Sequence, residues 1–147
     1  MNVKNMKTKN ILLISLIVIF IVVVSPVSFS INSDHIVDGL NSTSDLTQAT
    51  NDAKIENKNV LLVFDQDNCY YCDVFKKDTL SNHEVQKQLN DEYIIVDLDI
   101  NQQGSLAAEY QVYGTPTSIF LDSNGNMIHK VEGYVPADEF LNILKEI

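Results

Sequence analysis

The chain has only two cysteines, Cys69 and Cys72, and they bracket two tyrosines in Asp67-Asn68-Cys69-Tyr70-Tyr71-Cys72. The apolar run before them, Asn59-Val60-Leu61-Leu62-Val63-Phe64, predicts a buried β-strand. The stretch from Asp73 to Leu80 predicts a helix. A strand, a short loop and then Cys-x-x-Cys at a helix start is the layout of a thiol–disulfide redox site. A helix N-terminus offers unpaired N–H groups and a partial positive charge, and both favour a thiolate on the first cysteine. The second thiol lies within one helical turn of the first sulfur. One thiolate can therefore attack a disulfide and the other can release the mixed intermediate.

Other readings of the same spacing are weaker. Cys-x-x-Cys is half of a zinc site, but a structural zinc normally takes four ligands. His35, His83 and His129 are scattered along the chain with no close pairing, so no metal ligands are assigned. A purely structural disulfide would close a very short loop and remove little unfolded-state entropy.

The first thirty residues differ from the rest. Lys4, Lys7 and Lys9 precede an apolar run from Ile11 to Val24, interrupted only by Ser15, with Pro26 after it. A basic segment before an apolar core is the pattern of a secretory signal or signal anchor. The uncharged stretch continues through Phe29 to Ser33, long enough to cross a bilayer with help from its flanks. Residues 11–29 are thus the expected membrane contact, with the lysines cytoplasmic and the domain outside. Ser28 and Ser30 give a small-x-small pattern without alanine, so a retained anchor in the cell membrane is favoured. Secretion after signal cleavage is the alternative. The formal net charge of −10 argues against nucleic acid and anionic lipid surfaces as partners.

The expected division is 1–30 as anchor or signal peptide, 31–43 as polar linker and 44–147 as a folded domain. Asn41-Ser42-Thr43 in the linker is an N-glycosylation sequon. Asp45 with Gln48 forms a capping-box pattern that opens a helix ending near Asn57. After the motif helix, Ser81-Asn82 breaks the pattern, and Val85 and Leu89 suit a second helix. Tyr93 to Leu98 predicts an interior strand. Leu106 to Tyr110 predicts a short helix, and Thr117 to Leu121 a third strand. Asn124-Gly125 marks a hairpin turn into a strand from Met127 to Val131. Pro136 opens a last helix with Phe140, Leu141, Leu144 and Ile147 on its buried face. The order α-β-α-β-α-β-β-α implies an α/β fold, a mixed central sheet flanked by helices with a hairpin at one edge.

This layout, with Gly114-Thr115-Pro116-Thr117 just before the third strand, resembles the thioredoxin-like family from about Ser44 to Ile147. Val96-Asp97-Leu98-Asp99, Tyr110-Gln111-Val112-Tyr113, Asp122-Ser123-Asn124-Gly125 and the ending Gly133-Tyr134 with Asp138-Glu139-Phe140-Leu141 also fit. The chain looks most like extracytoplasmic thioredoxin-related proteins with a tyrosine before the second cysteine. The resemblance implies a cis bond before Pro116, facing the sulfurs, with the Thr115 backbone open to pair with an extended substrate segment.

Thioredoxins proper carry Trp-Cys-Gly-Pro-Cys, whereas here Asn68 precedes Cys69, Tyr70-Tyr71 lies between, and there is no tryptophan. The family's buried aspartate in the central strand falls on Val63, with Asp65 and Asp67 expected in an exposed loop. Asp65, Asp67 and Asp73 disfavour a thiolate and Lys76 and Lys77 oppose them, a balance that leans towards a reductant. Tyr70 and Tyr71 are expected to bind peptide or cover the disulfide, and Tyr93, Tyr110, Tyr113 and Tyr134 to pack.

The functional expectation is an extracytoplasmic, membrane-tethered thiol–disulfide oxidoreductase. Cys69 is its nucleophile, Cys72 its resolving thiol, and Thr115, Pro116, Tyr70 and Tyr71 its substrate-binding residues. No cofactor is needed, because the electrons reside in the cysteines. The expected partners are protein thiol or disulfide substrates and a membrane or extracytoplasmic electron donor or acceptor. The alternative is a metal- or client-binding module, serving copper or haem-protein maturation through the same thiols.

Overall fold

The structure is a computed structural model that describes residues 34–147. The expected anchor at 1–30 lies outside the described residues, among which no helix is long and apolar enough to cross a membrane. A four-stranded sheet runs in the order β4-β3-β5-β6, formed by β3 (Asn59–Asp65), β4 (Tyr93–Asp99), β5 (Thr117–Leu121) and β6 (Met127–Glu132). β3 is parallel to β4 and antiparallel to β5, and β6 is antiparallel to β5. The mixed sheet and the hairpin at one edge match the sequence expectation.

Alternation along β3 explains why the sheet is covered on both faces. Leu61 and Val63 join one core with Phe120, Phe75, Leu80, Val85, Leu89 and Phe140. Val60, Leu62 and Phe64 join the other with Ile119, Leu121, Val96, Leu98, Ala49 and Ala53. All five of these β3 residues are essentially inaccessible. At about 1.5–3 kcal/mol for each large apolar side chain removed from water, this strand anchors the domain.

The helices begin and end where their caps dictate. In α1 (Leu46–Glu56), the Asp45 carboxylate accepts from the Gln48 N–H at 3.0 Å, and Asn57 closes the helix in a left-handed conformation. α2 (Tyr70–Val74) starts at the second motif residue rather than at Asp73, and runs directly into a π-helical segment, Phe75–Leu80. Thr79 Oγ1 donates to the Val135 carbonyl at 2.6 Å and ties this segment to the chain before the last helix. Asn82 caps α3 (His83–Glu92) by accepting from the N–H groups of Glu84 and Val85. α4 is Gly104–Glu109 and α5 is Ala137–Glu146. Phe140 and Leu144 carry the burial of α5, whereas Ile147 lies past its end and is exposed.

Two expectations are corrected. The stretch read as linker, 31–43, holds a β-hairpin of β1 (Asp34–Val37) and β2 (Leu40–Ser42). Its Ile36 and Leu40 enter the core beside α3, so the domain extends at least to Asp34. The sequon residues Asn41 and Ser42 lie in β2, with Ser42 buried. β4, expected in the interior, is an end strand of the main sheet. Its apolar character serves burial on both faces, and its outer edge is partly covered by Thr43, which bonds to Ile95 and Asp97.

Candidate active site

β3 delivers the chain to the redox pair through Asp65–Asn68. Asn68, in a left-handed conformation at φ 60°, turns the chain so that Cys69 becomes the N-cap of α2. Asparagine tolerates that region better than other side chains with a Cβ. Cys69 and Cys72 are joined as a disulfide. The Cys72 backbone N–H points at Cys69 Sγ, at 3.1 Å, so the first sulfur stands where a capping oxygen would. Cys69 is partly exposed and Cys72 is 3% exposed.

The loop before β5 meets this sulfur from the other side. The Thr115–Pro116 bond is cis. The Thr115 carbonyl oxygen lies 3.7 Å from Cys69 Sγ, and its hydroxyl donates to the same sulfur at 3.4 Å. Two contacts hold the loop. Gly133 N–H donates to the Pro116 carbonyl at 2.8 Å, and Thr117 Oγ1 to the Gly114 carbonyl at 2.8 Å. The structure therefore brings Cys69, Cys72, Thr115 and Pro116 together. Tyr70 and Tyr71 project outwards, 72% and 59% exposed, with their rings edge-to-face at 5.3 Å.

Several charged and aromatic residues depart from expectation. Asp65 ends β3 half-buried instead of lying in an exposed loop, and it forms an ion pair with Lys76. Asp97 is 4.0 Å from the same ammonium. Burial opposes the charge on Lys76, but the hydrogen bond it donates to Asp65 and the fields of Asp97, Asp65 and Asp73 outweigh it and raise its pKa. Lys76 is thus committed to its carboxylates, while Asp67, Asp73 and Lys77 are exposed. The sequence sets Lys76 against Asp65, and the ion pair joins these two residues. Tyr93 is buried and Tyr110 and Tyr134 partly so, as expected of packing residues. Tyr113 is instead 87% exposed, because its loop turns outward before Gly114.

A model of the thioredoxin-like domain family matches residues 46–147. This chain belongs to the thioredoxin-like family. It is 35% identical over 100 residues to the thiol:disulfide interchange protein DsbD of Yersinia enterocolitica, a match covering 65% of this chain and 17% of that protein. The DsbD of Photorhabdus laumondii is 36% identical over 95 residues, covering 61% of this chain and 16% of the relative. The chain therefore spans about a sixth of the length of these relatives. Among solved structures, the reduced C-terminal domain of Neisseria meningitidis DsbD matches with a TM-score of 0.60 and 27% identity, over 71% of this chain and 97% of that one. A thioredoxin from Thermus thermophilus shares the fold, with a TM-score of 0.65 at 24% identity, over 71% of this chain and 85% of that one. Its Cys-x-x-Cys pair stands at the start of α2 of this thioredoxin-like domain.

Proposed function

We propose that the chain is an extracytoplasmic, membrane-tethered dithiol reductant that acts on protein disulfides through Cys69 and Cys72. The observation that carries this is the placing of Cys69 Sγ between the Cys72 N–H and the Thr115 backbone. In the reduced state, that N–H and the helix terminus stabilise a Cys69 thiolate. The thiolate attacks one sulfur of a client disulfide, whose other sulfur leaves as a thiolate and takes a proton. Cys72 then loses its proton and attacks Cys69 Sγ, which releases the second client thiolate to be protonated in turn. Two electrons and two protons pass to the client, and the protein is left with the Cys69–Cys72 disulfide. A dithiol donor must reverse the last state. Thr115 and Pro116 position the client strand, with Tyr70 and Tyr71 beside it.

Direction and place rest on separate supports. Asp67 and Asp73 flank the pair in exposed positions, and their negative charge disfavours the thiolate, which makes the dithiol the stronger reductant. Relatives called thiol:disulfide interchange proteins fit an exchange role. Lys4, Lys7 and Lys9 before the apolar run Ile11–Val24 support a tether with the domain outside.

Insulin reduction with dithiothreitol as donor tests the chemistry: Cys69→Ser should fall to background, and Cys72→Ser should trap a mixed disulfide. Wild-type activity no higher than that of Cys69→Ser would sink the exchange reading. A redox potential nearer about −270 mV than about −120 mV is expected of a reductant, and a value near the latter would reverse the direction. External protease should remove the domain from intact cells stripped of outer layers; recovery of an intact soluble cytosolic protein would sink the topology.

A further inference from the structure

The exposed tyrosines of the described residues are not scattered. Tyr70 and Tyr71 lie between the cysteines, and Tyr113 stands two residues before Thr115, whose carbonyl touches Cys69 Sγ at 3.7 Å. Rings left in water on both sides of a reactive site are a feature of recognition surfaces. The charges next to them in sequence have one sign. Residues 66–74 and 111–117 carry Asp67 and Asp73 and no lysine or arginine. Lys76 is held by Asp65, and the exposed Lys77 follows Asp73 by four residues. Lys130, whose ammonium lies 6.0 Å from the centre of the Tyr113 ring, is held by the Gln111 carbonyl at 2.7 Å and Glu132 at 2.6 Å. Lys130 thus lies at the outer edge of cation–π range from the Tyr113 ring.

We infer that the exchange site selects clients whose cysteine lies in a basic segment, with lysine or arginine side chains meeting Asp67 and Asp73 and the faces of Tyr70, Tyr71 and Tyr113. The inference rests on the thiol exchange proposed above and adds its substrate class. A cation in an extended client strand beside Thr115 would meet carboxylate and aromatic faces together, whereas an acidic strand would meet like charge. Surface ion pairs and cation–π contacts are individually small, so the expected discrimination is about tenfold at low ionic strength and is screened by salt.

The test uses the protein pre-reduced with dithiothreitol and freed of it, in single turnover against two peptides with an internal disulfide. The peptides differ only in the residues beside the cysteines, arginine in one and glutamate in the other. Neutral dipyridyl disulfide serves as reference. The arginine peptide should react about tenfold faster at roughly 20 mM salt, and the gap should shrink to about threefold or less near 0.5 M. Asp67→Lys with Asp73→Lys should reverse the order of the two peptides. Tyr113→Ala should raise the half-saturating concentration of the arginine peptide by about two- to fivefold. Equal peptide rates at low salt, or an order that the charge reversal leaves unchanged, would overturn the inference while reaction with the neutral disulfide keeps the exchange reading. No reaction with any of the three disulfides would overturn both.

Discussion

Reduced, Cys69 and Cys72 are the same functional group, and their surroundings differ. Cys69 is partly exposed at the helix cap and takes the Cys72 N–H, whereas Cys72 is 3% exposed within the first turn. A thiolate is the nucleophile, and its reactivity follows stabilisation and access, both of which favour Cys69. Brief treatment of the reduced protein with iodoacetamide should label Cys69 at least about tenfold faster, read by peptide mass spectrometry. Preferential labelling of Cys72 would exchange their roles. The pair was legible in the sequence because spacing alone places two thiols one turn apart, and its partner loop because Gly114-Thr115-Pro116-Thr117 resembles the thioredoxin-like family at that position. Tyr113 was misjudged for an equally local reason. An aromatic residue beside the buried Val112 reads as core, and only the path of the loop shows that its ring faces water.

The hairpin of β1 and β2 shows what composition hides. Its residues are mostly polar, and three apolar ones, Ile36, Val37 and Leu40, do not make a periodic run long enough to score. The stronger signal was the turn. Asp38-Gly39 joins Val37 to its partner Leu40 in a two-residue loop, and Gly39 has φ +89°, a conformation that favours glycine. Leu40 is completely buried, against a core shared with α3 and the π-helical segment. Leu40→Ala should therefore cost about 2–4 kcal/mol, seen as a lower urea midpoint at unchanged slope. A change below about 0.5 kcal/mol would return this stretch to the status of a linker. Caps and turns were otherwise readable, as at Asp45 and Asn124-Gly125, since each depends on side chains close to one another in sequence. The position of β4 at the end of the sheet was not, because pairing partners far apart in the chain decide it.

Over the whole domain, the groups with raised proton affinity in the folded state fix where stability is lost at high pH. Lys76 is half-buried, which opposes its charge, but the Asp65 hydrogen bond and the carboxylates around it raise its pKa above the ordinary 10.5. Burial raises Tyr93 and Tyr110 above the ordinary 10.0 by disfavouring the phenolate, although the bond from Asn59 partly offsets this at Tyr93. A folded-state pKa above the unfolded value means that the folded protein binds its proton more tightly. The contribution is then complete below the unfolded value and disappears as pH rises through the folded one. Each group can remove up to about 1.4 kcal/mol per pH unit inside its own window. Asp99, lowered chiefly by the Asn101 N–H, and Asp122, lowered chiefly by the Asn126 side chain, act in the opposite range. Their contribution is present above the ordinary 3.8 and is lost as pH falls through their folded values. As far as these groups govern it, the unfolding free energy should be level between about pH 5 and 9.5 and fall steeply above about 10. Tyr93→Phe removes a group that must ionise on unfolding in alkali, so its decline should be shallower than that of wild type. Lys76→Met removes an ammonium that alkali would neutralise, so it should be less stable at neutral pH by about 1 kcal/mol and converge on wild type above about pH 11. Urea titrations at pH 7, 9, 10 and 11 separate these cases. Parallel pH profiles for all three proteins would show that the alkaline loss arises elsewhere, and that the Lys76–Asp65 pair and the buried Tyr93 phenol do not control it.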